Sequence, residues 1–528
     1  MRRMKRWLAA SLCACLLLLC GCAAGSLEGT PSGARPSAID GAELYPDFPQ
    51  RAAVALEFNE RLERIENAKT AEEMQAAYDE LLHIAFVYVM GPYNLANFYA
   101  SAGVSIEMYS EDMNNLMSDF LTNYEQKAWS AVLASPVGGD LLRRQSGGSV
   151  TPERVRAAHP SGSAEGQELT RQLYDGRDRY LALLDRGAGE EELLAELNSQ
   201  LRLRGDLARA MGCAGFIDYC LTKRDSVPYS AGDLLSLAAL AREELLPAYL
   251  APAVGGEFSP RFEGAETLDA DGWKGALPSL FARFPALEND LNYCLQNGLL
   301  QLEPLPEGGS ARSFSYALYQ YDLSIGKAYL AGDSGDLLNL FRLLGAMGRD
   351  MALPEAQWSV GQAKMADAAQ QLSFAALCGA EMDALFGGEE APRAKAELHA
   401  LLLGHALCGA QRYALLTALY GKGEDWNAEE LRALCEELSA QYGLPLSLEE
   451  LFALDDVRLG LADSAGELLG SLTALQLGLL AESRPEEAKA VLQGMFTVYN
   501  YASPIGEAVK AGLPNPFSRE AVRAAAQG

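Results

Sequence analysis

Apolar residues recur at spacings of three and four along most of this chain, which is the pattern of amphipathic helices. A representative stretch is "DLLNLFRLLGAMGRD", Asp336 to Asp350. Its apolar stripe comprises Leu337, Leu340, Phe341, Leu344 and Met347. The opposite face carries Arg342, Ala346 and Arg349. The spacing predicts a helix with one buried face, and none of these residues is a usual catalytic acid, base or nucleophile.

Several apolar runs are preceded by a capping box, in which a Ser, Thr or Asn is followed three residues later by an acidic residue. The pairs are Thr70 with Glu73, Ser230 with Asp233, Asn427 with Glu430, Ser447 with Glu450, and Ser483 with Glu486. Each pair predicts the start of a helix. No repeat of fixed period is present, which argues against a solenoid.

The helical pattern is interrupted near residues 299–331. The segments "LLQLEPLPEGG" and "SFSYALYQYDLSIGKAYLAG" alternate in polarity and are rich in Tyr, Phe and Ser. Such alternation predicts a few short strands. The predicted fold class is therefore all-α, with a small β-sheet near 299–331.

The chain is strongly acidic, with 71 Asp and Glu against 43 Lys and Arg and a formal net charge of −28. A surface of that charge repels phosphate backbones, so nucleic acid is not expected as a partner. The same charge favours solubility of the folded protein.

The first 22 residues, "MRRMKRWLAASLCACLLLLCGC", combine a basic start with an apolar run of signal-peptide length. The run ends in Leu-Cys-Gly-Cys, which resembles the bacterial lipobox. The resemblance implies that Cys22 is lipidated and becomes the mature N-terminus. The alternative is a short membrane anchor that is never cleaved. The expected location is the bacterial cell envelope, with the protein lipid-anchored on the extracytoplasmic side of a membrane.

Four segments follow from this organisation. Residues 1–21 are the signal peptide, and 22–45, rich in Gly, Ser, Ala and Pro, form a flexible tether. Residues 46–205 are expected to form an N-terminal helical lobe and 206–528 a second lobe.

Cysteines and histidines give no metal-binding pattern. The six cysteines beyond Cys22 are irregularly spaced, without a C-x-x-C pair, and are interpreted as buried free thiols. Two of the four histidines, His399 and His405, are six residues apart and cannot share a helix face. Each histidine is therefore interpreted as solvated or packed.

The order of several segments resembles the M3, or thimet oligopeptidase-like, zinc metallopeptidases, in particular the oligoendopeptidase F branch. The segments are "MGPYNLANFYASAGVSIEMYSEDMNNLMSDFLTNYEQKA", "GCAGFIDYCLTKRDSVPYSAGDLLSLAALAREELLPAY", "YLAGDSGDLLNLFRLLGAMGRD", "MADAAQQLSFAALCGAEM" and "CGAQRYALLTALYGKGEDWNAEELRALCEELSAQYG". The resemblance implies a two-lobed, mainly helical ellipsoid with a deep channel. It also implies a zinc site built on a His-Glu-x-Gly-His motif.

The implied zinc ligands are missing from this chain. The motif positions are occupied by Arg342, Leu343, Leu344, Gly345 and Ala346, of which only the glycine matches. Arg, Leu and Ala offer no lone pair to a metal. The third ligand, a family Glu, corresponds to Asp367. The run Leu459–Ala481, where the resemblance places the late His and Tyr residues, contains neither. No cofactor is therefore expected, although the family binds zinc.

These observations favour a lipid-anchored pseudopeptidase whose channel binds peptides or a partner protein. The aromatic residues Phe314, Tyr316, Tyr319 and Tyr321 are candidates for a peptide groove beside the sheet, or they pack the sheet itself. Two alternatives remain: an active metalloendopeptidase with unrecognised ligands, and an extracytoplasmic solute-binding lipoprotein. Arg342 is expected to pair with Asp367, because a buried carboxylate requires a cation. The alternative is that Arg342 turns to solvent and Asp367 is hydrated.

Overall fold

A computed structural model describes residues 51–94, 98, 115, 124–145, 164–224, 229–251, 268–306, 313–352, 364–388, 390–460, 462–497 and 504–527. This part of the chain is mainly helical with a small three-stranded sheet, which confirms the predicted fold class. Cys22 and the predicted signal and tether lie outside the described residues. Within them, no helix is both long enough and apolar enough to cross a bilayer.

The elements before the sheet are α1 (Arg51–Asn67), α2 (Ala71–Ile84), α3 (Glu125–Ala134), α4 (Gly138–Gln145), α5 (Ala164–Asp185), α6 (Glu190–Ala210), α7 (Phe216–Tyr219), α8 (Ala231–Tyr249), α9 (Ala270–Phe281) and α10 (Glu288–Gln296). Single π-helical segments, Ala85–Met90 and Cys220–Arg224, continue α2 and α7. The strands are β1 (Leu300–Pro304), β2 (Phe314–Leu318) and β3 (Leu323–Leu330).

The elements after the sheet are α11 (Gly335–Ala352), α12 (Lys364–Ala380), α13 (Glu390–Gly421), α14 (Ala428–Tyr442), α15 (Leu448–Ala453), α16 (Asp455–Arg458), α17 (Asp463–Ser483), α18 (Pro485–Phe496), α19 (Pro504–Lys510) and α20 (Arg519–Gln527). Short 3₁₀ turns occupy Tyr319–Tyr321 and Met382–Ala384.

The chain divides into two compact units, Met1–Leu141 with Tyr316–Leu323, and Leu142–Ser315 with Ser324–Gly528. The division after Leu141 differs from the lobe boundary at residue 205 that the sequence suggests. In the first unit α1 packs against α2, and the ring centroids of Phe86 and Tyr319 lie 4.7 Å apart. The Asn94 side-chain amide donates a hydrogen bond of 3.1 Å to the Ala317 carbonyl oxygen. This bond holds the end of β2 within the first unit.

The core of the second unit is centred on α17, whose residues are buried along most of its length. It packs against α12 and α13, while α11 packs against α12. Glycines permit two of these close approaches. A Cβ on Gly345 would lie 2.9 Å from the Gln371 carbonyl oxygen of α12, and one on Gly409 would lie 2.8 Å from the Leu468 backbone nitrogen of α17. The single motif residue that this chain retains, Gly345, therefore serves helix packing.

The capping prediction is correct at four of its five positions. Thr70, Ser230, Asn427 and Ser447 each form a reciprocal capping box with the acidic residue three positions later. The prediction at Ser483 is wrong. Ser483 is the last residue of α17, and its hydroxyl donates to the Leu480 carbonyl oxygen. The next helix begins at Pro485, because proline fits the first helical position and lacks the N–H that a cap would receive.

The sheet order is β1–β3–β2, with β1 and β3 parallel in a register that runs from Leu300↔Gly326 to Pro304↔Leu330. The strands lie within 299–331, as predicted. The turn after β3 leads into α11, where Asp336 accepts hydrogen bonds of 2.8 Å from the backbone N–H groups of Ala331 and Gly332. This contact sets the start of α11 against the end of the central strand.

All six described cysteines are free thiols, as predicted, and five of them are buried. Cys408 is only partly buried.

Candidate functional site

A cavity of about 780 Å³ lies within the second unit. Its walls come from the end of β3 and the start of β2, from α11, α12, α13 and α17, and from the connection between α15 and α16. Helix α11 presents its polar face to this cavity, because its apolar stripe is buried on the opposite side as predicted. The lining residues of α11 are Asp336, Asn339, Arg342, Leu343, Ala346 and Arg349.

The cavity lining includes a charged cluster of Arg342, His405 and Glu467, one residue each from α11, α13 and α17. The Arg342 guanidinium donates to a Glu467 carboxylate oxygen at 3.0 Å and lies 3.1 Å from His405 Nε2. His405 Nε2 also contacts the second Glu467 oxygen. Because arginine only donates and a carboxylate only accepts, Nε2 can serve one of these two neighbours at a time.

The cluster determines the ionisation of Glu467. Burial raises the pKa of this carboxyl, but the charges of Arg342 and His405 and their hydrogen bonds outweigh that effect and hold the pKa at about 2. Glu467 is therefore ionised at neutral pH. It is about a quarter exposed, and so is Arg342.

A second cluster lies two helical turns further along α11. Arg349 donates to Asp367 of α12 at 2.5 Å and to its neighbour Asp350 at 2.6 Å and 3.0 Å. The Ser324 hydroxyl of β3 donates to the other Asp350 oxygen at 3.1 Å. Arg349 and Asp350 are buried. The cation that compensates Asp367 is therefore Arg349, and the pairing of Asp367 with Arg342 expected from the sequence is wrong.

The pairing follows from the position of each arginine along α11. Arg342 and Arg349 are seven residues apart on one helix face, so both point into the cavity. Arg342 meets a carboxylate of α17, whereas Arg349 meets Asp367 at the start of α12. Two separate ion pairs, Arg342 with Glu467 and Arg349 with Asp367, therefore line the same cavity.

Two further lining carboxylates satisfy backbone groups. Burial raises the pKa of Asp336, although the backbone N–H groups of Ala331 and Gly332 oppose the shift. Asp456 accepts from the N–H groups of Asp463 and Ser464 at 2.8 Å and 3.1 Å, which caps the start of α17. Both carboxylates therefore hold helix ends in place around the cavity.

Comparison with solved structures finds the same fold in proteins named as peptidases. A structure titled putative oligoendopeptidase F aligns with a TM-score of 0.74 over 92% of this chain and 97% of its own, at 14% identity. A putative oligoendopeptidase F from Bacillus anthracis aligns with a TM-score of 0.67 over 91% and 95%, at 16% identity. The chain has the oligoendopeptidase F fold. A PZ peptidase A solved with an inhibitor aligns with a TM-score of 0.64 over 91% and 97%, at 12% identity. No family model matches the chain, and no curated protein matches it.

The oligoendopeptidase F fold brings together all four positions that the sequence assigned to the degenerate zinc motif. Arg342, Leu343, Ala346 and Asp367 all line the one cavity. Zinc, which the resemblance implies, does not fit the residues present. The Arg342 guanidinium is bonded to both His405 and Glu467, which also contact each other, and Asp367 is held by Arg349. Among the described residues, no three His, Cys, Asp or Glu side chains are arranged to hold a metal ion.

The four aromatic residues that the sequence suggests for a peptide groove do not line this cavity. Ser313 and Ser315 line the cavity, so Phe314, between them on β2, projects from the opposite face. Tyr316, Tyr319 and Tyr321 belong to the first unit, where Tyr319 packs on Phe86. The residues of this segment that face the cavity are thus the serines.

Sequence reasoning missed His405 and Glu467. The sequence alone suggests a solvated or packed histidine at 405, and Glu467 lies in the apolar run Leu459–Ala481. The resemblance did place that run at the site, and Glu467 is its only acidic residue in the middle of the helix. A charged residue inside an otherwise buried helix was the available signal.

Proposed function

We propose that this protein is a non-catalytic, lipid-anchored peptide-binding protein with the oligoendopeptidase F fold. Its cavity binds peptides or an extended segment of a partner without cleaving them. The anchor is Cys22, and the protein faces the extracytoplasmic side of a bacterial membrane.

The observation that carries this proposal is the position of Arg342. It occupies the place that the resemblance assigns to the first zinc ligand, and its guanidinium is bonded to Glu467 and His405. A permanent cation therefore takes the electrostatic role of the metal, but it cannot activate water or accept a proton. The general base position is Leu343, whose side chain has no titratable group.

The rest of the cavity supports binding. Its volume of about 780 Å³ falls in the range of small-ligand sites. Ser315, Asn339 and Gln371 line it with hydroxyl and amide groups of the type that hydrogen-bond a peptide backbone. These groups come from a strand and two helices, so a peptide could be held on three sides.

Purified full-length protein in detergent, incubated with a random heptapeptide mixture, tests the proposal. We expect retained peptides by affinity selection and mass spectrometry, and no new cleavage products. Asn339→Trp, which places a large side chain in the cavity from an exposed position, should abolish retention. Leu235→Trp, an exposed position on α8, is the matched control. Cleavage by metal-loaded wild type would support the active-peptidase alternative instead.

The solute-binding alternative is disfavoured by the fold. Solute-binding lipoproteins are built from alternating strand–helix units, whereas the described chain is helical with three short strands. The proposal therefore rests on a peptidase fold and not on a transport fold.

A further inference from the structure

Arg412 is a charged side chain that lines the cavity but, unlike the other lining Arg, Asp and Glu residues, forms no ion pair or hydrogen bond with the described protein. The lining includes three guanidinium groups, from Arg342, Arg349 and Arg412, and six carboxylates. Arg342 and Arg349 are ion-paired, and each of the carboxylates has a hydrogen bond, an ion pair or an electrostatic partner. Arg412 has no hydrogen bond or ion pair with any described residue and is exposed.

An unpaired arginine is unexpected in this setting, because the chain carries a net charge of −28 and the cavity lining has twice as many carboxylates as guanidinium groups. Its five N–H donors are directed at no acceptor of the described protein, and a guanidinium does not lose its charge at any physiological pH. The group is therefore available to an anion that enters the cavity.

We propose that Arg412 is the subsite for a carboxylate of the bound peptide, namely its free C-terminus. The inference rests on the proposed function and specifies which end of the peptide the cavity recognises. Arg412 lies seven residues beyond His405 on α13, and His405, Cys408 and Arg412 share the cavity face of that helix. Seven residues of helix span about 10 Å. About three residues of extended peptide would therefore separate a carboxylate at Arg412 from the charged cluster at Arg342.

The surrounding charge selects the kind of anion. A guanidinium binds a carboxylate through two parallel hydrogen bonds. Six carboxylates against three guanidinium groups leave the lining net negative, so a second negative charge on the ligand would be repelled. A monoanionic carboxylate on an otherwise neutral or basic peptide satisfies both conditions, whereas a phosphate dianion or an acidic peptide does not.

The test compares three heptapeptide mixtures on full-length protein in detergent: free C-terminal acids, the same sequences as C-terminal amides, and amides that carry one Glu. We expect wild type to retain the free acids at least about tenfold better than the amides, as for a hydrogen bond to a charged group. Arg412→Gln should remove that preference, and Arg412→Lys should keep part of it. The matched control is Arg484→Gln. Arg484 is an exposed arginine that immediately precedes α18 and does not line the cavity, so this variant should keep the full preference for free acids.

The outcomes separate the two proposals. Equal retention of acids and amides by wild type, or an unchanged preference in Arg412→Gln, would overturn the carboxylate subsite and leave peptide binding in place. Retention of Glu-containing amides that depends on Arg412 would support the carboxylate subsite with a side chain as the source. Failure of wild type to retain any peptide would overturn both proposals. Because Arg412 is exposed and unpaired, we expect its variants to melt at the wild-type temperature.

Discussion

Arg342 donates a hydrogen bond of 3.0 Å to Glu467, and this contact joins α11 to α17 in the wall of the cavity. The two residues are 125 positions apart in the sequence, so their pairing depends on the packing of both helices against α12. The pair satisfies both charges within the protein, and His405 completes the cluster.

Replacement of Arg342 by Ala should destabilise the fold. The change removes the cation that compensates Glu467, and the carboxylate is only about a quarter exposed. We expect the free energy of unfolding to fall by about 1–3 kcal/mol, less than for a fully buried pair because water can reach Glu467. Urea denaturation at pH 7 measures the change.

Arg484→Ala is the control for that prediction. Arg484 pairs with Glu487 on the surface, where both side chains are largely exposed. Its loss should change the free energy of unfolding by less than about 0.5 kcal/mol. Equal effects of the two substitutions would show that the Arg342 pair contributes no more than a surface pair.

Glu467 should make stability depend on pH in the acid range. Its pKa is held at about 2, below the ordinary value of 4.5. A carboxyl with a depressed folded-state pKa stabilises the fold above its unfolded-state pKa, and that contribution is lost as pH falls from about 4.5 towards 2. Glu467→Gln should therefore be less stable than wild type at pH 7.

The measurement is the difference in unfolding free energy between wild type and Glu467→Gln at several pH values. The difference should shrink as pH falls through the range 4.5 to 2. A difference that stays constant over this range would contradict the depressed pKa.

The helical fold was predictable from local signals. The apolar stripe of α11 and four capping boxes depend on residues within one or two turns of each other. The failure at Ser483 had a local cause as well, since the helix begins at Pro485, one residue later than a cap at Ser483 would place its start. The small sheet was predictable from alternation in residues 299–331.

The sequence predicted where the site lies, but not which charged residues pair with each other there. The family resemblance located Arg342, Leu343, Ala346 and Asp367, which do share one cavity. It could not identify Glu467 or His405 as partners, because no short-range pattern relates α11 to α13 and α17. The choice between Arg342 and Arg349 as the partner of Asp367 depends on where α12 begins along α11, which no short-range pattern specifies.

Gly345 should tolerate no side chain. A Cβ there would lie 2.9 Å from the Gln371 carbonyl oxygen and 2.9 Å from the Phe374 Cβ, so α11 and α12 would have to separate. We expect Gly345→Ala to lower the free energy of unfolding by about 1–3 kcal/mol, as for overpacking.

Gly275→Ala is the matched control. Gly275 lies inside helix α9, and a Cβ there would meet nothing within 4 Å. The substitution should raise stability by about 0.5–1 kcal/mol, because alanine loses less conformational freedom on folding. Destabilisation by both changes would argue against a specific α11–α12 contact.

Cys22→Ser should release the protein from membranes or leave an unprocessed precursor. The prediction follows from the basic start, the apolar run and the Leu-Cys-Gly-Cys ending of the first 22 residues. Membrane fractionation and the mass of the mature chain measure it, with Cys20→Ser as the control. Unchanged fractionation and unchanged processing of Cys22→Ser would contradict a lipidated N-terminus.

Restoring the zinc ligands should restore metal binding but little catalysis. Arg342→His and Ala346→His place two imidazoles one turn apart on the cavity face of α11, Leu343→Glu supplies the base, and Asp367→Glu lengthens the third carboxylate. The change at Arg342 also removes the guanidinium that is bonded to His405 and Glu467. We expect the quadruple variant to retain about one zinc per chain through dialysis, measured by mass spectrometry.

The variant that lacks only Ala346→His is the control, because two protein ligands do not hold zinc through dialysis. Turnover of quenched peptides should stay near background even in the quadruple variant, since the run Leu459–Ala481 has neither His nor Tyr to stabilise an oxyanion. Arg349 also remains bonded to position 367 and competes with the metal for its carboxylate. Stoichiometric zinc in wild type, retained through dialysis and coupled to peptide cleavage, would contradict the non-catalytic interpretation, because the Arg342 guanidinium would then have to leave Glu467 and His405 for the metal to enter.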